Sequence, residues 1–233
     1  ELAVGQALLI ASGQRERTRT IQSNGYAYTF ISRWTLENTL PFLSEVSVFS
    51  YGFTEDGELV EPPRDDSWMT QMAWQNGTRP ILTLTPLSKS GNFDNGLISA
   101  IVRNPSGQAA LIDSLLVVMD EKSYGGMNID FEYVRAEDRE LFTEFVRTCT
   151  ERMHAAGYPV SVALAPKTSA AQQGTLYEGI DYRALGEIAD YVFVMTYEWG
   201  YTYGPPMAVA PLHMVRRVIE YAVSEIAPEK ISM

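Results

Sequence analysis

Residues 125–133 read Gly-Gly-Met-Asn-Ile-Asp-Phe-Glu-Tyr, and polar and apolar side chains alternate along them. In a strand, successive side chains point to opposite faces, so Asn128, Asp130 and Glu132 share one side. A solvated edge strand is one explanation. The helix-like segments around it instead favour a strand buried between helices, where carboxylates are costly unless they have a task. The pattern therefore predicts a pair of carboxylates held at the end of a buried strand for acid catalysis.

Strand-like and helix-like segments alternate along the rest of the chain, which is typical of a parallel sheet. Six strands are predicted at residues 26–31, 46–51, 80–85, 128–132, 160–165 and 191–197, and the opening of a seventh at 230–233. Helices are predicted at residues 35–43, 67–75, 92–102, 108–121, 136–156, 182–189 and 211–224.

Two architectures fit this alternation, an open doubly wound sheet and a closed (β/α)8 TIM barrel. No Gly-x-Gly-x-x-Gly or phosphate-loop motif follows a strand, which weakens a nucleotide-binding hypothesis. Polar groups cluster at or just after strand ends, and a barrel gathers such ends around one mouth. We therefore predict an α/β fold, a (β/α)8 TIM barrel that is truncated after the start of strand 7. Either the chain is a shortened piece or the barrel is incomplete.

Composition narrows the range of partners and cofactors. The 233 residues carry a net charge of −11, which argues against nucleic acid and anionic membranes as partners. The sequence contains no run of 18 apolar residues, so no membrane-spanning helix is predicted. Cys149 is the only cysteine and is expected in the core. Neither His154 nor His213 has neighbours at metal-ligand spacing, so no metal and no cofactor are expected.

Residues 125–132 resemble the Asp-Gly-x-Asp-x-Asp-x-Glu signature of glycoside hydrolase family 18, which contains chitinases and N-acetylglucosaminidases. Asp130 and Glu132 match its last two acidic residues, whereas Gly125 and Asn128 replace its first two aspartates. Four segments are similar to the spore cortex and cell-wall branch of that family, namely 24–28, 49–53, 128–133 and 195–200. The resemblance implies a catalytic barrel over residues 20–233, and residues 1–12 resemble the tail of a LysM-like module or a linker.

The spacing of the two carboxylates bears on the mechanism. Asp130 and Glu132 are two residues apart on one strand face, about 6.6 Å along the backbone, and so flank the same side of a substrate. That arrangement fits the substrate-assisted route, in which the acetamido oxygen of an N-acetyl sugar attacks its own anomeric carbon. Glu132 then protonates the leaving oxygen and Asp130 orients the acetamido N–H. The resemblance implies that Tyr197 donates a hydrogen bond to the acetamido oxygen.

Other residues are candidates for substrate binding. The amide of Asn128 is a candidate for holding Asp130 in place. Lys167 follows the fifth strand and is expected to be a solvated loop lysine, with substrate contact as the alternative. The remaining candidates lie near predicted strand ends, and for any single aromatic among them packing is a competing explanation: Tyr26, Tyr51, Met195, Glu198 and Trp199.

Three functions follow as hypotheses. The first is retaining hydrolysis of N-acetylglucosaminyl linkages in bacterial cell-wall or spore cortex peptidoglycan, by a monomer located in the cell wall or spore envelope. The second is a chitinase acting on chitin oligomers. The third is a non-catalytic glycan-binding barrel, which the retained Glu132 disfavours.

Overall fold

A computed structural model describes residues 21–200 and 204–233 of the chain. Its strands are β1 (Asn24–Tyr28), β2 (Glu45–Phe53), β3 (Leu59–Val60), β4 (Arg79–Leu84), β5 (Gly126–Ile129), β6 (Val160–Leu164), β7 (Tyr191–Val194) and β8 (Ile231–Ser232). Its helices are α1 (Arg33–Thr39), α2 (Ser67–Gln75), α3 (Gly96–Val102), α4 (Pro105–Glu121), α5 (Arg139–Ala155), α6 (Tyr182–Ile188) and α7 (Leu212–Glu225).

The strands form one sheet in the order β1-β2-β4-β5-β6-β7-β8, with all neighbours parallel. The two-residue β3 is an antiparallel addition to β2. Within the described residues, β1 and β8 each pair on one side only, so the sheet is a partial barrel of seven parallel strands. This confirms the predicted α/β barrel that ends early in strand 7.

Side chains cross the inside of the sheet and show how strongly it curves. The Tyr191 hydroxyl of β7 donates to Glu45 Oε2 of β2 over 2.6 Å. The rings of Tyr26 in β1 and Phe193 in β7 lie 5.6 Å apart, centroid to centroid. Strands far apart in the sheet order thus contact each other through the barrel interior.

The alternation along each strand separates a polar interior from an apolar exterior. Inward positions include the buried Ser47, Asn128 and Ser161. Outward positions such as Met127 and Ile129 belong to the core beneath the helices. The polar row of the 125–133 stretch therefore faces the barrel interior, and the solvated edge strand is excluded.

The helices cover the outer face of the sheet and agree with the prediction to within a few residues. In α5, one face is buried, and Cys149 lies at its centre with no exposed surface. The first helix begins earlier than predicted, because Ser32 caps it by accepting a hydrogen bond from the Thr35 amide over 3.0 Å. None of the described helices is both long enough and apolar enough to cross a membrane. The LysM-like segment 1–12 lies outside the described residues.

Candidate active site

The two carboxylates lie just beyond the carboxyl end of β5, where Phe131 fixes their direction. The Phe131 ring points outward and stacks on Phe142 and Phe145 of α5, with centroid distances of 5.8 and 5.6 Å. The Asp130 amide continues the ladder by donating to the Leu84 carbonyl over 2.9 Å. Since side chains alternate, Asp130 and Glu132 point together into the mouth of the barrel.

Both carboxylates line a cleft of about 490 Å³ and also a neighbouring cavity of about 270 Å³. The two cavities share the rim formed by Tyr28, Phe49 and Tyr133, so they are the two arms of one groove. The larger arm is closed by Tyr26, Pro166, Leu176, Tyr177, Met195, Tyr197, Glu198 and Trp199, and the smaller arm by Thr85, Pro86, Phe93 and Asn95.

The pKa values of both Asp130 and Glu132 are raised above their ordinary values. Burial, and then the charge of Glu132, raise the pKa of Asp130 to about 7. Oδ1 of Asp130 is buried without a hydrogen-bond partner. Burial, and then the charge of Glu198, raise the pKa of Glu132. The site therefore holds two carboxyl groups whose protonated forms are favoured by burial, and one buried carboxylate oxygen that lacks a hydrogen-bond donor.

The segment after β7 contributes four predicted residues to the same cleft, namely Met195, Tyr197, Glu198 and Trp199. Burial, and then the charge of Asp130, raise the pKa of Tyr197 to about 12, so its hydroxyl keeps its proton at neutral pH. The indole of Trp199 donates to the Thr196 carbonyl over 3.2 Å. The φ angle of Glu198 is 62°, a left-handed turn that is uncommon for a residue with a side chain.

Tyr26 joins the cleft from β1. Its ring packs between Phe49 and Phe193. Burial, and then the charge of Asp130, raise the pKa of its hydroxyl above the ordinary range. That hydroxyl donates to Asn128 Oδ1 over 3.2 Å. The phenol is thus fixed in its neutral form next to the carboxylate pair.

Asn128 lies beneath the cleft and does not line it. Its amide nitrogen donates to Ser161 Oγ over 2.8 Å, and its oxygen accepts from Tyr26. The predicted hydrogen bond from this amide to Asp130 is absent among the described contacts, where the amide nitrogen donates to Ser161 of β6 instead. Asn128 therefore supports the floor of the site through Tyr26 instead of contacting a substrate.

The prediction that Tyr51 contacts substrate is wrong. The pairing of β2 with β4 shifts register between Val48 and Tyr51, and this irregularity turns Tyr51 to the helix side of the sheet. Its ring has no exposed surface, and its hydroxyl donates to the buried Asp66 over 2.7 Å. Lys122 donates to the same carboxylate over 2.8 Å, so Tyr51 belongs to a buried polar cluster outside the barrel.

The structure adds lining residues that the sequence did not single out. Tyr28 and Phe49 alternate with outward residues of β1 and β2, so their strand positions contained the signal. Phe93, Leu176 and Tyr177 come from loops, where no periodicity marks a side chain as facing the cleft. Within the described part of the chain, no three acidic, histidine or cysteine side chains converge as a metal site.

Comparison with known proteins gives a family and several relatives. The cortical fragment-lytic enzyme of Bacillus anthracis is 39% identical over 193 residues, which cover 83% of this chain and 44% of that protein. The crystal structure of the Bacillus cereus spore cortex-lytic enzyme SleL matches with a TM-score of 0.87 at 34% identity, over 100% of this chain and 55% of that one. For SleL of Bacillus megaterium QM B1551 the TM-score is 0.84 at 34% identity, over 91% and 49%.

The chain spans about half the length of these relatives. The model of the glycosyl hydrolases family 18 matches residues 30–233, which include every strand from β2 onward and all of the cleft except its β1 wall. On that match, this chain belongs to glycosyl hydrolase family 18.

Proposed function

We propose that this chain hydrolyses N-acetylglucosaminyl linkages in peptidoglycan fragments of the spore cortex or cell wall, with retention of anomeric configuration. The observation that carries the proposal is the pair Asp130 and Glu132, which line one cleft together with Tyr197. The names of its relatives, a cortical fragment-lytic enzyme and spore cortex-lytic enzymes, support this substrate and a location in the spore envelope.

In the first step, Glu132 gives its proton to the glycosidic oxygen as the bond to the anomeric carbon breaks. The acetamido carbonyl oxygen of the same sugar attacks that carbon from the opposite face and forms a cyclic oxazolinium ion. The direction of the pKa shift of Glu132 favours this role, because burial and the charge of Glu198 both stabilise the protonated form that an acid catalyst needs. The aglycone leaves with the proton, so charge and atoms balance.

Asp130 supplies the other half of the chemistry. Its buried Oδ1 has no hydrogen-bond partner within the described structure, and an acetamido N–H would supply that missing donor. Once ionised, Asp130 also stabilises the positive charge of the oxazolinium ion. The neutral hydroxyl of Tyr197 donates to the acetamido oxygen and aligns it for attack.

In the second step, a water molecule attacks the anomeric carbon and opens the oxazolinium ring. Glu132, now ionised, accepts a proton from that water and returns to its starting state. Two inversions at the same carbon give net retention, without a covalent bond to the protein.

The groove favours a glycan chain that extends past the carboxylates in both directions. One arm holds about 490 Å³ and the other about 270 Å³, with Asp130 and Glu132 lining both. The exposed aromatic residues Tyr28 and Phe93 give these arms apolar surfaces on which sugar rings can pack. We therefore propose sugars bound on both sides of the cleaved linkage.

The test is to digest purified cortex fragments and identify the products by mass spectrometry. Reducing-end N-acetylglucosamine is the expected result, and reducing-end muramic acid would contradict it. Soluble chitin oligomers are assayed in parallel, and equal or faster cleavage of those oligomers would favour a chitinase.

The Glu132→Gln variant tests the assigned acid. We expect kcat to fall by about 100-fold or more, the range for loss of a general acid, while sugar binding measured by calorimetry persists. Near-normal turnover in this variant would end the assignment.

A further inference from the structure

Lys167 is a buried lysine for which the proposed chemistry has no use. It comes three residues after β6, and 1% of its surface is exposed. Its ammonium donates to the carbonyl oxygens of Tyr177 and Ile180, over 3.1 and 2.8 Å. Among the described residues, no carboxylate forms an ion pair with it, and burial lowers its pKa. Burying such a charge is costly, so the carbonyl contacts must offset a large desolvation penalty.

These contacts hold the segment of residues 174–181, which we call the wall segment. The segment turns on itself, because the amides of Tyr177 and Glu178 both donate to the Gly174 carbonyl, over 2.9 and 3.1 Å. At its far end, Asp181 pairs with Arg139 of α5 over 2.5 Å. Lys167 thus holds the wall segment at Tyr177 and Ile180, and the Asp181–Arg139 ion pair holds its end.

The wall segment forms one side of the larger arm of the groove. Leu176 and Tyr177 line that arm. Behind them, Gly179 lies against the backbone that follows the catalytic residues, and a Cβ at this position would come within 2.1 Å of the Val134 carbonyl oxygen. The wall segment is thus packed against the backbone just after Glu132, and Lys167 holds it through the carbonyls on either side of Gly179.

We propose that Lys167 is a positioning residue that fixes the wall segment and thereby sets the width of the sugar-binding arm beside Leu176 and Tyr177. The ligand is a sugar ring of an N-acetylated glycan, whose apolar face packs on these two side chains. This inference rests on the proposed function. Charge-assisted hydrogen bonds are about twice as strong as neutral ones, so the ammonium holds the two carbonyls more firmly than a neutral donor would.

The experiment compares Lys167→Met and Lys167→Arg with the wild-type chain on a soluble N-acetylglucosamine oligomer. Methionine keeps the length of the side chain but leaves both carbonyls without a donor. We expect KM to rise about tenfold for this variant, equivalent to one lost binding contact, with kcat within about twofold because the carboxylates are untouched. Lys167→Arg retains donors and is expected to restore part of the lost affinity. Hydrogen exchange of the 174–181 amides should be faster in Lys167→Met alone.

The matched control is Lys89→Met, which removes an exposed lysine paired with Glu58 outside the groove. It should leave KM, kcat and exchange in the wall segment unchanged. A wild-type KM in Lys167→Met would overturn the inference, as would a fall in kcat at constant KM. If Lys167→Met does not fold, Tyr177→Ala decides, since it removes the wall's side chain without disturbing the carbonyls. An unchanged KM in that variant refutes the role of the wall.

Failure of this inference differs from failure of the proposed function. If the wild-type chain cleaves the oligomer, Glu132→Gln does not, and Lys167→Met matches wild type, only the positioning role is lost. If Glu132→Gln remains active, the proposed function itself is wrong, whatever the lysine variants do.

Discussion

At the scale of single residues, the site holds charges that folding alone would not favour. Asp130 is kept next to Glu132 with an unpaired buried oxygen, and its pKa is raised to about 7. Such an arrangement stabilises a bound substrate and not the empty protein. The free-energy cost of burying the ionised Asp130 carboxylate should appear as a dependence of the free energy of unfolding on pH.

We expect Asp130→Asn to be more stable than the wild-type chain at pH 8 and equally stable near pH 4. The pKa of Asp130 is about 7 in the fold, against about 3.9 in an unfolded chain. Between these values the native state holds a proton that the unfolded state has lost, so the free energy of unfolding of the wild-type chain falls as pH rises. By pH 8, above both pKa values, a shift of about three pKa units corresponds to a difference of about 4 kcal/mol.

Thermal unfolding of both proteins at pH 4 and pH 8 provides the measurement. Asp120→Asn, on the exposed face of α4, is the control and should show no such difference. An identical change in Tm at both pH values for Asp130→Asn would argue against a raised pKa.

Glu198 provides a second test at this scale, through the pH profile of catalysis. Its negative charge raises the pKa of Glu132, so Glu198→Gln should lower that pKa. In the proposed mechanism Glu132 acts in its protonated form, so the alkaline limb of kcat/KM should move to lower pH in the variant. Profiles of the variant and of Glu220→Gln, an exposed residue of α7, give the comparison. A shift to higher pH would contradict the assignment of Glu132 as the acid.

At the scale of elements, the end of β5 shows how packing on the outer face of the sheet orients side chains on the inner face. Phe131 is 1% exposed and lies between the sheet and α5. Its burial forces the flanking carboxylates to point the other way. The sequence contained this information, since polar and apolar residues alternate without a break from Met127 to Tyr133.

Phe131→Ala should therefore reduce both stability and activity. Removing a buried aromatic ring costs about 3–5 kcal/mol, and the emptied space frees the strand end to rotate. Urea denaturation and kcat/KM measure the two effects. Phe42→Ala removes a phenylalanine that is 79% exposed, and we expect it to be nearly neutral. Full activity in a destabilised Phe131→Ala would show that the ring does not orient the carboxylates.

Prediction from sequence failed where a local irregularity or a loop determines direction. Strict alternation along β2 would turn Tyr51 inward, but the register shift after Val48 reverses its face. Lys167 was expected in solvent or on substrate, yet it is buried, because its acceptors are carbonyls ten and thirteen residues further along the chain. No periodic pattern encodes contacts of that kind. The strands and helices themselves were predicted, because their core faces repeat with the periods of 2 and 3.6.

At the scale of the whole molecule, the partial barrel is held by an apolar outer layer and by a few polar contacts across its interior. The described strands β1 and β8 are not paired with each other, so interior contacts such as Tyr191 to Glu45 are what join the two halves of the sheet. The Tyr191–Glu45 contact lies at the amino ends of its two strands, away from the groove.

Tyr191→Phe should thus affect stability without affecting catalysis. Loss of the hydrogen bond to Glu45 is expected to lower the free energy of unfolding by about 1 kcal/mol, while kcat and KM stay at wild-type values. Urea denaturation and steady-state kinetics of the variant test this separation. Tyr158→Phe, for which no hydroxyl hydrogen bond is present among the described contacts, is the matched control. A large loss of activity in Tyr191→Phe would mean that the base of the barrel is coupled to the groove.

The complete burial of Cys149 has a practical consequence. It is the only thiol of the chain, and burial raises its pKa, so it stays protonated and out of reach of maleimides or mild oxidants. A cysteine introduced at the exposed Thr175, beside Leu176 and Tyr177, would then be the single site that a fluorophore can label. The native protein thus has no other thiol that reacts with the dye. Fluorescence from the single labelled site would then report how that edge of the groove responds when a sugar binds.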